Sequence, residues 1–317
     1  MQKRYLIPSL ILLSYISLFT GVSSLRLGEL LAGNTRHLQI LLISRGPRLL
    51  SILFAGMSMG IAGLIMQQLS RNRFVSPTTA ATVDAAKFGV MFALLFLPGA
   101  SSSVKMLISF SFALGGSLLF MGLLRRMKHK NATYIPLVGL MLGGVIDAVT
   151  TFVAFRFDLV QNISAWLMGN FSMVIAGRYE LLYLSIPLLF LAYSYAHQFT
   201  IAGMGEDMAK NLGLNYQLVM TLGMAIVSMI SAVVLITVGR IPFLGLVVPN
   251  MVALYRGDNL RNNLGPTALL GAVFLLACDL FGRVIIAPYE IPIGLTVGVV
   301  GSILFLYLLF RSQRHGR

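Results

Sequence analysis

Apolar runs of about twenty residues recur along the whole chain, each closed by a cluster of charge or by glycine and proline. A run of that length is what one helix needs to cross the roughly 30 Å hydrocarbon core of a bilayer. The pattern predicts ten spans: Tyr5–Val22, Leu49–Leu69, Ala80–Leu97, Met106–Leu123, Ile135–Phe155, Leu181–Tyr195, Leu218–Val238, a short one at Phe243–Ala253, Thr267–Phe281 and Ile293–Phe310. Gln2-Lys3-Arg4 and the run behind them resemble a signal peptide, but the run is long and a multispanning body follows, so it reads as the first span. Asp158–Gly177, with Trp166 and Phe171, is too polar to cross and reads as a short interfacial helix on the outer face. Little length remains for a soluble domain, and residues 1–317 read as one all-α transmembrane domain.

Composition agrees. Apolar residues make up 57% of the 317 and charged residues 11%, against about 25% in soluble domains. The formal charge of +14, from 24 Lys and Arg against 10 Asp and Glu, would point to nucleic acid in a soluble protein. Here the basic residues sit in loops between apolar runs, without a continuous basic face, so they orient the chain and no nucleic-acid partner is expected. With the N-terminus inside, 14 of the 24 fall on the cytoplasmic side, among them Arg71, Arg73, Arg125, Arg126, Lys128, Lys130, Lys210, Arg256, Arg261 and Arg317. The positive-inside rule then puts both termini in the cytoplasm. The single cysteine, Cys278, excludes an intramolecular disulfide and a cysteine-cluster metal site.

Glycines at helical spacing, Gly56/Gly60/Gly63, Gly139/Gly143 and Gly294/Gly298/Gly301, mark helices that pack closely in lipid. Gly56-Met57-Ser58-Met59-Gly60 fits the G-x-S-x-G nucleophile elbow, but it lies inside a predicted helix instead of a strand-to-helix turn. His37, His129, His197 and His315 are scattered without ligand spacing, so no metal site and no enzyme are expected. The P-loop G-x-x-x-x-G-K-[ST] is missing, so ATP-driven transport would need a separate ATPase.

Several residues carry candidate chemistry. Ala202–Gly213, on the cytoplasmic side, reads as a short glycine-bounded helix with Glu206 and Asp207 at its start and Gly213 as cap. It is either a solvated connector or a coupling helix for an ATPase. Arg45-Gly46-Pro47-Arg48 precedes the second span on the outer side, against the charge trend. These arginines either snorkel at the interface or meet a partner's carboxylates. Arg283 has Asp279 four residues back, a local ion pair that competes with a partner role. Within the spans, Asp84 and Lys87 are three apart and expected to pair, whereas Asp147 has no local partner and keeps a proton-coupled carrier open as the alternative.

The run Arg45-Gly46-Pro47-Arg48-Leu49, followed by Gly56, Gly63, Gln67 and Arg71-Asn72, resembles the iron-siderophore and vitamin B12 permease family. So do Gly239–Leu246 with Pro249, Asp279–Arg283, and Pro288-Tyr289-Glu290-Ile291-Pro292-Ile293-Gly294. The resemblance implies a type II ABC importer permease of ten spans in a bacterial cytoplasmic membrane. It implies a second permease subunit, identical or paired, and an extracytoplasmic siderophore-binding protein. Two ATPase subunits would hold the ATP and magnesium, with no cofactor in this chain. It further implies that Arg45, Arg48 and Arg283 receive glutamates of the binding protein, and that Gly203–Gly213 is the coupling loop, with Gly203, Glu206, Ala209, Leu212 and Gly213 as its recognisable positions. The chain departs from the family pattern at Arg71–Pro77, at Asn250, where histidine is common, and at Asp84 and Lys87. These departures resemble a subgroup handling ferric catecholates.

Overall fold

A computed structural model describes residues 3–21, 35–79, 81–126, 134–177, 179–257 and 259–315. Gln2, Val22, Ala80, Lys128, His129, Lys130 and Arg317, which enter the sequence reading, lie outside the described residues. In chain order the helices are α1 Lys3–Phe19, α2 Thr35–Ile40, α3 Gly46–Ser70, α4 Thr82–Phe96, α5 Ser102–Arg126, α6 Tyr134–Arg156, α7 Val160–Leu167, α8 Ser185–Ser194, α9 Ala196–Ala202, α10 Glu206–Asn211, α11 Tyr216–Val238, α12 Leu244–Arg256, α13 Leu260–Val284 and α14 Ile293–His315. Among the described residues, six helical stretches are long and apolar enough to cross a membrane: Thr35–Ser70, Ser102–Leu123, Leu137–Arg156, Tyr216–Val238, Leu260–Val284 and Ile293–Phe310. Arg4–Phe19, Glu180–Ser194 and Leu244–Arg256 are shorter apolar helices. The fourth helix, with Asp84 and Lys87 in its first two turns, falls outside both groups.

The buried centre is α3, packed along α13 and flanked by α11 and α12. In lipid these helices gain nothing from merely hiding apolar surface, so contact depends on how closely their backbones approach. A Cβ on Gly56 would lie 2.6 Å from the Gly271 carbonyl oxygen and 2.8 Å from the Ala272 Cα, and one on Gly63 would fall on the Gly245 carbonyl. Pro249 in α12 has no N–H for the Gly245 carbonyl four residues back. The Gln67 amide donates to that oxygen and to the Leu246 carbonyl, at 3.4 and 3.2 Å. Asn250, where the sequence departs from its family, donates to Leu246 O at 2.8 Å and to Arg73 O at 2.7 Å. It ties the segment after α3 to α12.

Two local features differ from the sequence reading. The helix that carries the second span begins well before Leu49, and Arg45 and Arg48 lie inside one continuous helical stretch from Thr35 to Ser70. Pro47 cannot donate into the preceding turn, and the helix widens into one π-helical turn, Leu41–Arg45, just upstream. The interfacial segment contains α7, as expected, but its remainder is stitched inward by backbone bonds. Arg240 N donates to Leu167 O at 2.9 Å, Asn170 N to Val238 O at 2.9 Å, and Gly294 N to Gly169 O at 3.1 Å. Gly239, at φ +95°, has no room for a Cβ beside Met168, which fixes this crossing.

Candidate functional site

At the end of the bundle where α3 begins, Arg48 and Arg283 meet two carboxylates, and Arg45 lies beside them. Arg48 donates to Asp279 at 2.8 Å and to Glu290 at 2.7 Å. Arg283 pairs with the other oxygen of Asp279 and donates to Ser17 O at 3.0 Å, Ser17 Oγ at 2.9 Å and Thr20 O at 3.2 Å. Arg45 also donates to Thr20 O. Three arginines thus tie α1, α3, α13 and the loop before α14 together. Charged groups this far from water persist only when paired and hydrogen-bonded. Burial opposes ionisation of Glu290, but the Ser172 hydroxyl at 2.7 Å and Arg48 outweigh it and hold the carboxyl below its ordinary range. The local pair of Arg283 and Asp279 forms as the sequence predicts. What sequence reasoning missed is Glu290 and Ser172, whose signal was limited to one carboxylate in a Pro-x-Glu-x-Pro loop.

At the opposite end of α3, the glycine-bounded segment folds as a helix with a defined stop. The Leu214 N–H reaches Ala209 O and the Gly213 N–H reaches Lys210 O, both at 2.9 Å, while Gly213 turns left-handed at φ +74°. This is a Schellman cap. Lys210 pairs with Glu206 at 2.9 Å, one turn apart, and that hydrogen bond raises the lysine's pKa. Ala209 is fully buried, so it seats the helix and contributes no outward surface. Met208 and Leu212, four residues apart, are 50 and 57% exposed, and Met204, before the helix begins, is 60% exposed. Met204 and Met208 escaped the sequence reading, although their spacing with Leu212 was visible. Gly203 packs against the Gln68 amide and Gly205, at φ +123°, against the Arg71 guanidinium, so the segment rests on the C-terminal end of α3.

Between these ends, the expected pairing of Asp84 with Lys87 is replaced. Lys87 Nζ donates to Asp147 at 2.6 Å and to Thr151 Oγ1 at 3.0 Å, joining α4 to α6. Asp84 instead faces the Gly143 backbone, where a Cβ would collide with its carboxylate. The helices α4 and α6 pack together, and the lysine's length lets it reach across rather than back along its own helix. Asp147 therefore has a partner, and the observation that kept a proton-coupled carrier open falls away. Among the described residues no group of three His, Cys, Asp or Glu is placed to hold a metal.

The chain is 54% identical to the petrobactin import system permease protein YclN of Bacillus subtilis, over 99% of this chain and 100% of that one. It is 40% identical to the ferric-anguibactin transport system permease protein FatD of Vibrio anguillarum, over 94% of this chain and 95% of that one. Its fold superposes on a metal-chelate type ABC transporter solved in an inward-facing conformation with a TM-score of 0.83 at 24% identity, covering 97% of this chain and 98% of that one. The pattern that defines the FecCD transport family matches residues 9–311, and the chain belongs to that family.

Proposed function

We infer that this chain forms the translocation path for a ferric siderophore of the catecholate class, working by alternating access. As a family member it is a multi-pass permease subunit of an ABC importer of the bacterial inner membrane, a transport subunit and not an enzyme. The observation that carries the mechanism is the placement of α3. Its first turn holds Arg48 in the outer ion network, and its last turn and cap, Gln68 and Arg71, carry the glycine-bounded segment. Its 25 residues span about 37 Å as a single rod. A displacement of the cytoplasmic segment is thereby delivered to the outer rim without passing through flexible chain.

In this reading the exposed side chains of Met204, Met208 and Leu212 seat in one of two ATPase subunits, which hold ATP and magnesium, with Glu206 keeping the helix formed through Lys210. A binding protein docks on the outer rim, where Arg45 and Arg48 meet its carboxylates and Arg283 acts through Asp279. Guanidinium groups offer carboxylates a bidentate contact, which suits an acidic partner. The two termini lie in the cytoplasm, and a second permease subunit completes the path. The substrate class follows the petrobactin permease relative.

Proteoliposomes holding the full importer test this. Uptake of a ferric catecholate is expected to need enclosed ATP and external binding protein and to survive collapse of the proton gradient. Uptake that follows the gradient without ATP would refute the reading.

A further inference from the structure

Asp147 lies in the middle of α6, about 15 Å of helix from Leu137 and about 13 Å from Arg156. Its pair with Lys87 is incompletely buried: the side chains are 24% exposed for Lys87 and 46% for Asp147. A half-exposed ion pair at that depth is not stable against acyl chains, because charged side chains within spans turn to the protein interior or to water. We propose that the α4–α6 face carrying Lys87, Asp147 and Thr151 is a hydrated wall of the transport path, and that its paired charges let an anionic ferric chelate pass without being held. This rests on the importer reading above.

The surface of α6 supports the assignment. With 100° between successive residues, Leu140, Gly144 and Thr151 fall within about 60° of Asp147 on one side. All three are exposed, and nothing lies within 4 Å of a Cβ built on Gly144. Val145, Val149 and Phe152, at 65, 49 and 75% exposure, stand roughly 140–200° away and form a bulky apolar face suited to lipid. On the other side Gly143, Thr150 and Ala154 are buried. The helix thus runs from a buried face, past the half-exposed ion pair, to an exposed and mostly apolar face. The ammonium and the carboxylate offer hydrogen bonds to a hydrated solute while cancelling each other's field. A lone lysine would retain an anionic chelate, and a lone aspartate would repel it.

Thiol labelling measures water access independently of transport. In a Cys278→Ala background, the assembled importer in proteoliposomes would carry single cysteines at Leu140, Gly144, Thr151, Val145, Val149 or Phe152. The probe is the charged, membrane-impermeant sulfonatoethyl methanethiosulfonate. Leu140→Cys, Gly144→Cys and Thr151→Cys are expected to react at least about tenfold faster than the other three. Uniformly slow reaction would mean that a dry protein surface or lipid covers this face, and would overturn the proposal even if uptake is ATP-driven. Lys87→Met with Asp147→Met removes both charges without leaving either unpaired. It should slow Thr151→Cys labelling about fivefold, and unchanged labelling would refute the pair's part in hydrating the wall. In uptake assays Asp147→Asn is expected to lower both KM and maximal rate for an anionic chelate, because the freed ammonium retains it. A change in rate alone would contradict the charge-cancelling role.

Discussion

Replacing Arg48 by Met removes the residue that joins Asp279 to Glu290, and the structure sets the size of the effect. The side chains of Arg48, Asp279 and Glu290 are 11, 3 and 22% exposed, so screening by water is weak at the first two. Removing one partner of a buried ion pair costs about 3–5 kcal/mol, because the remaining charge stays buried. Here each orphaned acid keeps one partner, Asp279 through Arg283 and Glu290 through Ser172, which places the loss near the lower bound, about 3 kcal/mol. That corresponds to roughly a hundredfold increase in the open population of the outer rim. Cys278, buried next to Asp279 and the one cysteine in the chain, supplies the assay. Its modification by a fluorogenic maleimide reports opening, provided reclosing is fast relative to labelling. Arg48→Met should label about a hundred times faster than the parent, and adding Glu290→Gln should increase the rate less than it does alone. Labelling within about twofold of the parent would refute the argument that the network holds the rim closed.

Three further outcomes follow from the same geometry. Gly56→Ala forces a methyl onto the Gly271 carbonyl and should destabilise by about 1–3 kcal/mol in thermal unfolding, whereas Gly115→Ala and Gly122→Ala, with open space at the Cβ, should be neutral or stabilising. Met208→Ser with Leu212→Ser should sever ATP hydrolysis from uptake while leaving the fold and the binding-protein affinity unchanged. Ala209→Leu should instead unfold the segment, as measured by proteolysis, because that position is buried. The Glu290 carboxyl is held below its ordinary pKa of 4.5, so its contribution to stability is fully present above that pH and is lost as the pH falls through the depressed folded value. Thermal unfolding followed between pH 6 and about pH 3 should therefore show a smaller acid-induced loss in Glu290→Gln than in the parent.

Much of this protein is legible in one dimension because lipid imposes a one-dimensional rule. Backbone polar groups in a span find no water and are satisfied almost entirely within their own helix, so hydropathy along the chain is enough to read an all-α membrane domain. Glycine spacing in the second span likewise reads as close packing, and Gly213 as a helix stop, since both depend on near neighbours in sequence. Arg283 with Asp279 belongs to the same class. Lys87 does not: Asp84 is nearer in sequence, yet Asp147, 60 positions away, is its partner, and only the packing of α4 on α6 decides that. The same holds for Gln67, whose amide serves a carbonyl that Pro249 leaves without a helical donor 178 residues further on. Arg48, Asp279 and Glu290 were each visible as isolated charges, but their meeting depends on where three separate elements come together at one end of the bundle. Sequence by itself determined which segments are helices and which residues are too polar for lipid. Tertiary structure decided which of those polar residues meet, because an ion pair is set by distance in space, and a hydropathy pattern carries no information about distance between helices.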